Sequence, residues 1–294
     1  IFNPKEGINV YNYLKSTKEI DAVITAASQV SLAIQPLSNE GDVFQMAIFS
    51  SARKYSTPGD LSFRVSTRNE IEANALADLI TEMDIKKLGI LYLNTDFAID
   101  LKDNLREDFA KRNAEVEIVG EEAHLIGNSD FRTILAKFEE KGAEGILMIG
   151  LASKYAMILE QAQELGVEAQ FLSMRSAEDP VLIRNAGELA NGLIYTYPFD
   201  STSQTVEVKN FVNSFKEKYG TVPDAYAAEG YEGFKLTAMA FIKCDKNNSC
   251  IKEYLENLNN YESVFGEIDF DNKGDVHYDF FPKIVRNGQF VPLE

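Results

Sequence analysis

Apolar residues recur along this chain in two rhythms: short runs of strand length, then longer segments with apolar positions three or four apart. The alternation is most regular between Lys86 and Ala169. Leu88-Gly89-Ile90-Leu91-Tyr92-Leu93 is a strand-length run, and Phe97 to Arg112 follows with Leu101, Leu105 and Phe109 on one helical face. Glu115 to Gly120 alternates as a strand. Ser129 is the expected cap of a second helix that turns Phe131, Ile134, Leu135 and Phe138 inward. Gly145 to Gly150 reads as a buried strand, and Tyr155 to Leu165 as a third helix stopped by Gly166. Strands alternating with helices of this length predict parallel βαβ units with right-handed crossovers and helices on both sheet faces. This stretch makes one complete α/β lobe.

The flanks carry the same pattern. Before it come a helix over Asn3–Ser16, a strand over Asp21–Ala26, a helix over Leu32–Leu37, strands over Val43–Phe49 and Leu61–Val65, and a helix from Asn69, its possible cap, to Asp84. After it come strands Gln170–Leu172 and Leu193–Tyr197 around a helix over Val181–Leu189. Helices over Val206–Tyr219, Ala225–Lys243 and Ile251–Asn257 follow, and the chain closes with Phe265–Phe270, a turn over Asp271–Gly274, and strands over Phe280–Val285 and Phe290-Val291. The last helical block is separated from the first by the whole middle lobe, so one lobe is expected to be discontinuous.

A length of 294 residues suggests about two domains. With 45% hydrophobic and 26% charged residues the composition is that of an ordinary soluble protein. No apolar run approaches the roughly 20 residues of a membrane helix. A mature secreted protein, its signal removed, would look the same. The net charge of -17 repels phosphate backbones and argues against nucleic acid as a partner.

Cys244 and Cys250 are the only cysteines and flank a polar, turn-forming stretch between two helical segments. That spacing suggests a small disulfide and an oxidising compartment, the alternative being two free thiols in a cytosolic loop. Asn247-Asn248-Ser249 matches a glycosylation sequon, a match common by chance. His124 and His277 stand far apart with no neighbour at metal-ligand spacing. Dinucleotide, phosphate-loop and nucleophile-elbow motifs are absent. Asp269 to Gly274 opens like a calcium loop, but Lys273 and Phe280 stand where oxygen ligands belong. No cofactor, metal or enzymatic activity is indicated.

Asn128-Ser129-Asp130-Phe131, Leu135-Ala136-Lys137, Gly142, Gly145, Ile149-Gly150 and Ala162 to Gly166 together resemble the middle of a type I extracytoplasmic (periplasmic) solute-binding protein of ABC transporters. The similarity is to the branched-chain amino-acid (Leu/Ile/Val) receptor branch. Asp21 to Ile24, Phe63-Arg64, Tyr219-Gly220 with Pro223 to Ala228, and Gly266 through Asp275 with Asn287-Gly288 extend it over the chain. The resemblance implies two doubly wound, Rossmann-like α/β lobes joined by three crossovers near Ser66, Tyr197 and Val264. One lobe would be 1–66 with 197–264, the other 67–196 with 265–294. Family members begin with a strand, a long helix and a second strand ahead of the segment matching Asn3–Ser16. These are missing here, so one lobe is expected to show exposed ladder groups and an uncovered apolar face.

In that family the ligand lies in an interlobe cleft, at strand C-termini and helix N-termini. Carried over residue by residue, the candidates are Ala27, Ser28 and Gln29 at a helix start, and the Ser50-Ser51-Ala52 loop. Phe97 stands in place of a ring-stacking tyrosine and Leu151 in place of a second aromatic residue. Arg175 stands where the family's amino-acid receptors grip the ligand ammonium with an acid, and Arg68 offers a second positive group. Each has a plainer alternative: Ser28 as a helix cap, Phe97 and Leu151 as packing residues, the two arginines as surface charges. Tyr226 reads as core. The resemblance thus implies a non-enzymatic receptor, monomeric or a weak dimer, periplasmic or a cell-surface lipoprotein. It would pass a small carboxylate-bearing molecule to the permease of an ABC transporter. A ligand-sensing domain of the same fold is the rival; an amidase-like enzyme lacks any nucleophile constellation. With Arg175 replacing an acid, the expected ligand is an organic acid without a free ammonium.

Overall fold

Strand and helix alternate from Asn69 to Tyr197 in the computed structural model, which describes residues 3–55 and 57–293; three successive helices and four short strands follow. The elements are α1 (Pro4–Lys18), β1 (Ala22–Ala26), α2 (Ser28–Glu40), β2 (Phe44–Ile48), β3 (Ser62–Arg64), α3 (Asn69–Glu82), β4 (Lys87–Leu93), α4 (Asp96–Arg112), β5 (Glu117–His124), α5 (Arg132–Glu140) and β6 (Gly145–Ile149). They continue as α6 (Ala152–Leu165), β7 (Gln170–Ser173), α7 (Pro180–Ala186), β8 (Ile194–Tyr197), α8 (Val206–Tyr219), α9 (Ala225–Cys244), α10 (Asn248–Glu256), β9 (Tyr261–Ser263), β10 (Gly266–Ile268), β11 (Phe281–Arg286) and β12 (Gln289–Pro292). The fold class is α/β. The chain divides into one unit of Ile1–Asn69 with Phe199–Tyr278 and a second of Glu70–Pro198 with Asp279–Glu294.

That division differs from the expected one chiefly at the third crossover. Residues 265–278 fall with the first unit, because β10 pairs back on β9, the Phe265 ring stacks on Tyr278 at 4.4 Å, and the Gly274 carbonyl accepts from the Arg64 N–H. Thr67 to Asn69 also fall with the first unit, and Tyr197, in β8, with the second.

The second unit is built on a seven-stranded sheet in the order β12-β11-β8-β7-β6-β4-β5. Its strands from β4 to β8 are parallel; β11 and β12 are antiparallel additions. Every residue of β6 is buried, as expected where helices cover both faces of a parallel sheet. The Phe138 ring of α5 lies over two glycines, Gly89 and Gly120. A Cβ would stand 2.9 Å and 2.8 Å from it at those positions, so the helix approaches as closely as it does because neither has a side chain. β5 runs past Gly120 to His124. Its Glu121 and Glu122 do not read as strand residues, but Lys102 and Arg106 of α4 pair with Glu121, and Lys137 of α5 with Glu122. These charges also blunt a sheet edge.

The first unit has a three-stranded parallel sheet, β1-β2-β3. A buried polar network of Thr25, Ser31, Ser38 and Gln45 seats α2 on β1 and β2. α9 packs on β2 through Gly233, where a Cβ would stand 2.9 Å from Ile48. Phe44, Met46, Phe63, Leu236, Ile251 and Leu255 form the core on that side. A disulfide joins Cys244, at the end of α9, to Cys250 in the first turn of α10, with their Cα atoms 5.5 Å apart. Among the described residues β1 pairs only with β2; its Ile24 is exposed, as are Phe234 and Ile242 of α9. No helix among the described residues is long and apolar enough to cross a membrane.

Candidate functional site

In open parallel sheets ligand groups meet the carboxyl ends of the strands, where loops turn into helix N-termini. In the first unit those ends carry three loops. After β1 comes Ala27, whose φ of 71° and ψ of 135° lie in a region usually left to glycine. Holding a residue there costs about 1–3 kcal/mol and is a mark of functional loops. Ala27 takes the cap position of α2 with no side-chain cap, its carbonyl accepting from the Val30 and Ser31 N–H groups. Ser28 is therefore not the helix cap. It is the first residue of α2, buried, and its hydroxyl accepts from the Ala52 N–H at 3.2 Å. The Ser28 and Gln29 N–H groups have no protein acceptor among the described residues.

The second loop, Phe49 to Ala52, is tied to the first by that Ser28 bond. Phe49 has φ of 52°, and its ring meets Tyr226 edge-on at 4.8 Å. Ser50 and Ser51 are buried. Beneath them lies Arg64, fully buried, whose guanidinium donates to the carbonyls of Ser50 and Ala52 at 2.8 Å each and to Asp275 at 2.6 Å. In the third loop, Arg68 shares Asp275 at 3.8 Å. Three side-chain oxygens in this region are buried with no partner among the described residues: Gln29 Oε1, Ser50 Oγ and Thr67 Oγ1. A buried hydroxyl or amide left so costs about 1–3 kcal/mol. Ala27, Ser28, Gln29, Ser50 and Ser51 are thus gathered at one sheet end.

The strand ends of the second unit are put together differently. Phe97, in the first turn of α4, and Leu151, at the cap of α6, are half-buried and pack against the core of this unit. The turn before Leu151 is bound by Tyr155, whose hydroxyl accepts from the Gly150 N–H at 2.6 Å and meets Ser176 at 2.8 Å; burial pushes this phenol up to about 12. Arg175 is neither a surface charge nor an unopposed cation. It is buried, donates from its backbone N–H and its Nε to Glu72 at 2.9 Å each, and stacks on Phe280 at 4.7 Å. Glu72 also accepts from the Thr196 hydroxyl at 3.2 Å. The expectation that Arg175 alone would repel an ammonium is corrected by this pairing. The two charges offset each other where they are desolvated.

Arg64, Asp275, Glu72 and Glu229 were not singled out as site residues, because the partner of each lies far along the chain.

Sheet ends that offer unpaired helix N–H groups and buried hydroxyls, on a doubly wound α/β frame, define a small-molecule binding protein. The chain belongs to the periplasmic binding protein family, whose model matches residues 2–280. It is 20% identical over 278 residues to a Leu/Ile/Val-binding protein homolog of Brucella abortus, covering 94% of this chain and 74% of that one. A leucine-binding protein, LivK, of Thermotoga maritima superposes with a TM-score of 0.88 at 23% identity, covering 99% of this chain and 84% of the other. A solute-binding protein of an ABC transporter from R. palustris, solved with benzoate, superposes with a TM-score of 0.88 at 16% identity, covering 99% and 82%. The family and fold expected from the sequence are the ones found.

Proposed function

We propose that this chain is an extracytoplasmic solute-binding protein that captures a small carboxylate-bearing molecule and hands it to the membrane permease of an ABC transporter. The observation that carries the reading is the uncapped start of α2, where among the described residues the Ser28 and Gln29 N–H groups and the Ser50 and Thr67 hydroxyls have no partner. A carboxylate supplies acceptors to such donors, and its charge at a helix N-terminus adds about 0.3–1 kcal/mol. Leucine and benzoate, named for the two similar structures, have the carboxylate in common. Ala27, Gln29 and Ser51 are proposed as its neighbours; Phe97 and Leu151 are proposed as apolar ligand contacts, and Arg68 and Arg175 as positively charged ones. The Cys244–Cys250 bridge supports an oxidising compartment, periplasm or cell surface.

The ligand is proposed to lack a free ammonium. Glu72, the acid beside Arg175, is already committed to Arg175 and Thr196, and an ammonium without an acidic partner is poorly held once desolvated. Calorimetry with benzoate and aliphatic and dicarboxylic acids, beside L-leucine, L-valine and L-glutamate, tests this. Micromolar binding is expected from an organic acid and weakens about tenfold in Ser28→Ala. Equally tight binding of L-leucine, unchanged in Arg175→Ala, would reject the ligand class.

A further inference from the structure

Glu229 of α9 is fully buried, and nothing in the carboxylate site above uses it. Its Oε2 accepts from the Phe49 N–H at 2.7 Å and from the Ser66 hydroxyl at 2.5 Å, and its Oε1 accepts from the Tyr278 hydroxyl at 3.0 Å. Ser66 in turn accepts from the Ser50 N–H at 3.0 Å. One carboxylate therefore reaches two consecutive amides of the second loop, Phe49 directly and Ser50 through Ser66. Phe49 is the residue of that loop held at positive φ, a conformation that persists in a bulky residue only where its surroundings impose it. With both amides drawn inward, the turn delivers the following serines to the sheet end.

We infer that Glu229 is a positioning residue: it holds Phe49 and Ser50 so that the Ser50-Ser51-Ala52 loop is preformed for the ligand. The inference rests on the reading of that loop as part of the carboxylate site. A carboxyl group suits the task because Oε2 must satisfy two donors at once while Oε1 takes the third. Glutamine can still do so, placing its carbonyl oxygen there and donating its amide to the Tyr278 oxygen; leucine cannot.

The test is amide hydrogen exchange across residues 47–53 in the ligand-free protein, together with titration of benzoate and L-leucine. In Glu229→Leu, exchange at Phe49 and Ser50 rises at least about tenfold and the affinity of whichever probe binds falls at least about tenfold. Glu229→Gln keeps both within about threefold of the parent. Ile251→Val, a core change remote from this loop, lowers the melting temperature and leaves both unchanged. Should Glu229→Leu not fold, Ser66→Ala severs the link to Ser50 alone and raises exchange there. Unchanged exchange at Phe49 and Ser50 overturns the inference. Faster exchange with unchanged affinity overturns it as well, and locates the failure in the assignment of the loop to the ligand site.

Discussion

The two units solve the same problem, fixing loops at the ends of a parallel sheet, with opposite use of charge. In the first unit the buried cation, Arg64, spends two of its donors on loop carbonyls, and Asp275 balances it. In the second, Arg175 and Glu72 pair with each other, and Phe97 and Leu151 stand half-buried at the strand ends. One end is therefore organised around open hydrogen-bond donors and the other around a buried ion pair. Charge identity in the sequence says nothing about this difference. The partner of each ion decides whether it acts on a ligand, on a loop or only on another side chain.

The largest expected effect follows from breaking either pair. Arg64→Leu strands Asp275 in the interior, and Glu72→Leu strands Arg175; each costs about 3–5 kcal/mol in urea unfolding. The double variants should behave differently in the two units. Glu72→Met with Arg175→Met recovers most of the loss, because apolar side chains of similar volume replace a buried ion pair at little cost. Arg64→Met with Asp275→Met recovers only part of the stability and none of the ligand affinity, since the Ser50 and Ala52 carbonyls lose their donors. Equal recovery of binding by the Arg64 pair would erase the distinction.

Next come two glycines of positive φ. Gly274 has φ of 73°, and a Cβ there would stand 2.7 Å from the Ser62 carbonyl. Gly166, at the end of α6, has φ of 70° with open space around it. Gly166→Ala is expected to cost about 1 kcal/mol, the left-handed penalty alone. Gly274→Ala adds a backbone clash, for about 2–3 kcal/mol in all. Thermal melts of the two variants should differ by several degrees. The disulfide belongs to the first unit only, and Cys244→Ser with Cys250→Ser should lower stability by about 2 kcal/mol in the chain-entropy model, with no change in ligand affinity.

Much of the frame could be read from the chain. The helix over Val206–Tyr219 and the disulfide stand where the pattern put them, because apolar spacing and a short cysteine loop are local signals. β9 went unpredicted, since Tyr261-Glu262-Ser263 is too short to show a period and is a strand only by pairing with β10. α2 begins at Ser28, four residues before Leu32, because the polar Ser28-Gln29 turn is helical through Ala27's backbone and not through any side-chain cap. Ser129 caps nothing; α5 starts at Arg132 after Phe131. The site was legible where it is a loop beside a strand end. It was illegible where it depends on ions in long-range contact. Arg64 meets Asp275 across 211 residues and Glu72 meets Arg175 across 103, so each reads alone as a solvated charge.

The smallest expected effect sets the units against each other in pH. In the second unit His124 is buried, donates from its Nδ1 to the Leu125 carbonyl at 3.1 Å and stands edge-on to Phe131 at 5.2 Å. Burial is the main cause that lowers its pKa, and the nearby Lys154 charge adds to it. A depressed folded pKa means that the unfolded chain takes up the proton first. The stability His124 contributes is therefore full above its ordinary pKa of about 6.5 and is lost as pH falls through the lowered value. In the first unit, Glu232 and Asp60 have pKa values raised by burial, against the bonds that Val264 and Tyr261 give the one and Ser62, Asn39 and Gln35 give the other. Raised values work the other way: their contribution is full below the ordinary carboxylate pKa of about 4 and lost as pH rises through the raised ones. Acidification from pH 7 towards 5 should then weaken the second unit and not the first. Hydrogen exchange of β5 and β6 should quicken relative to β2 and β3 once corrected for intrinsic rates, and His124→Gln should abolish the difference. A second unit whose exchange stays insensitive to pH in the parent protein would place its acid sensitivity elsewhere than His124.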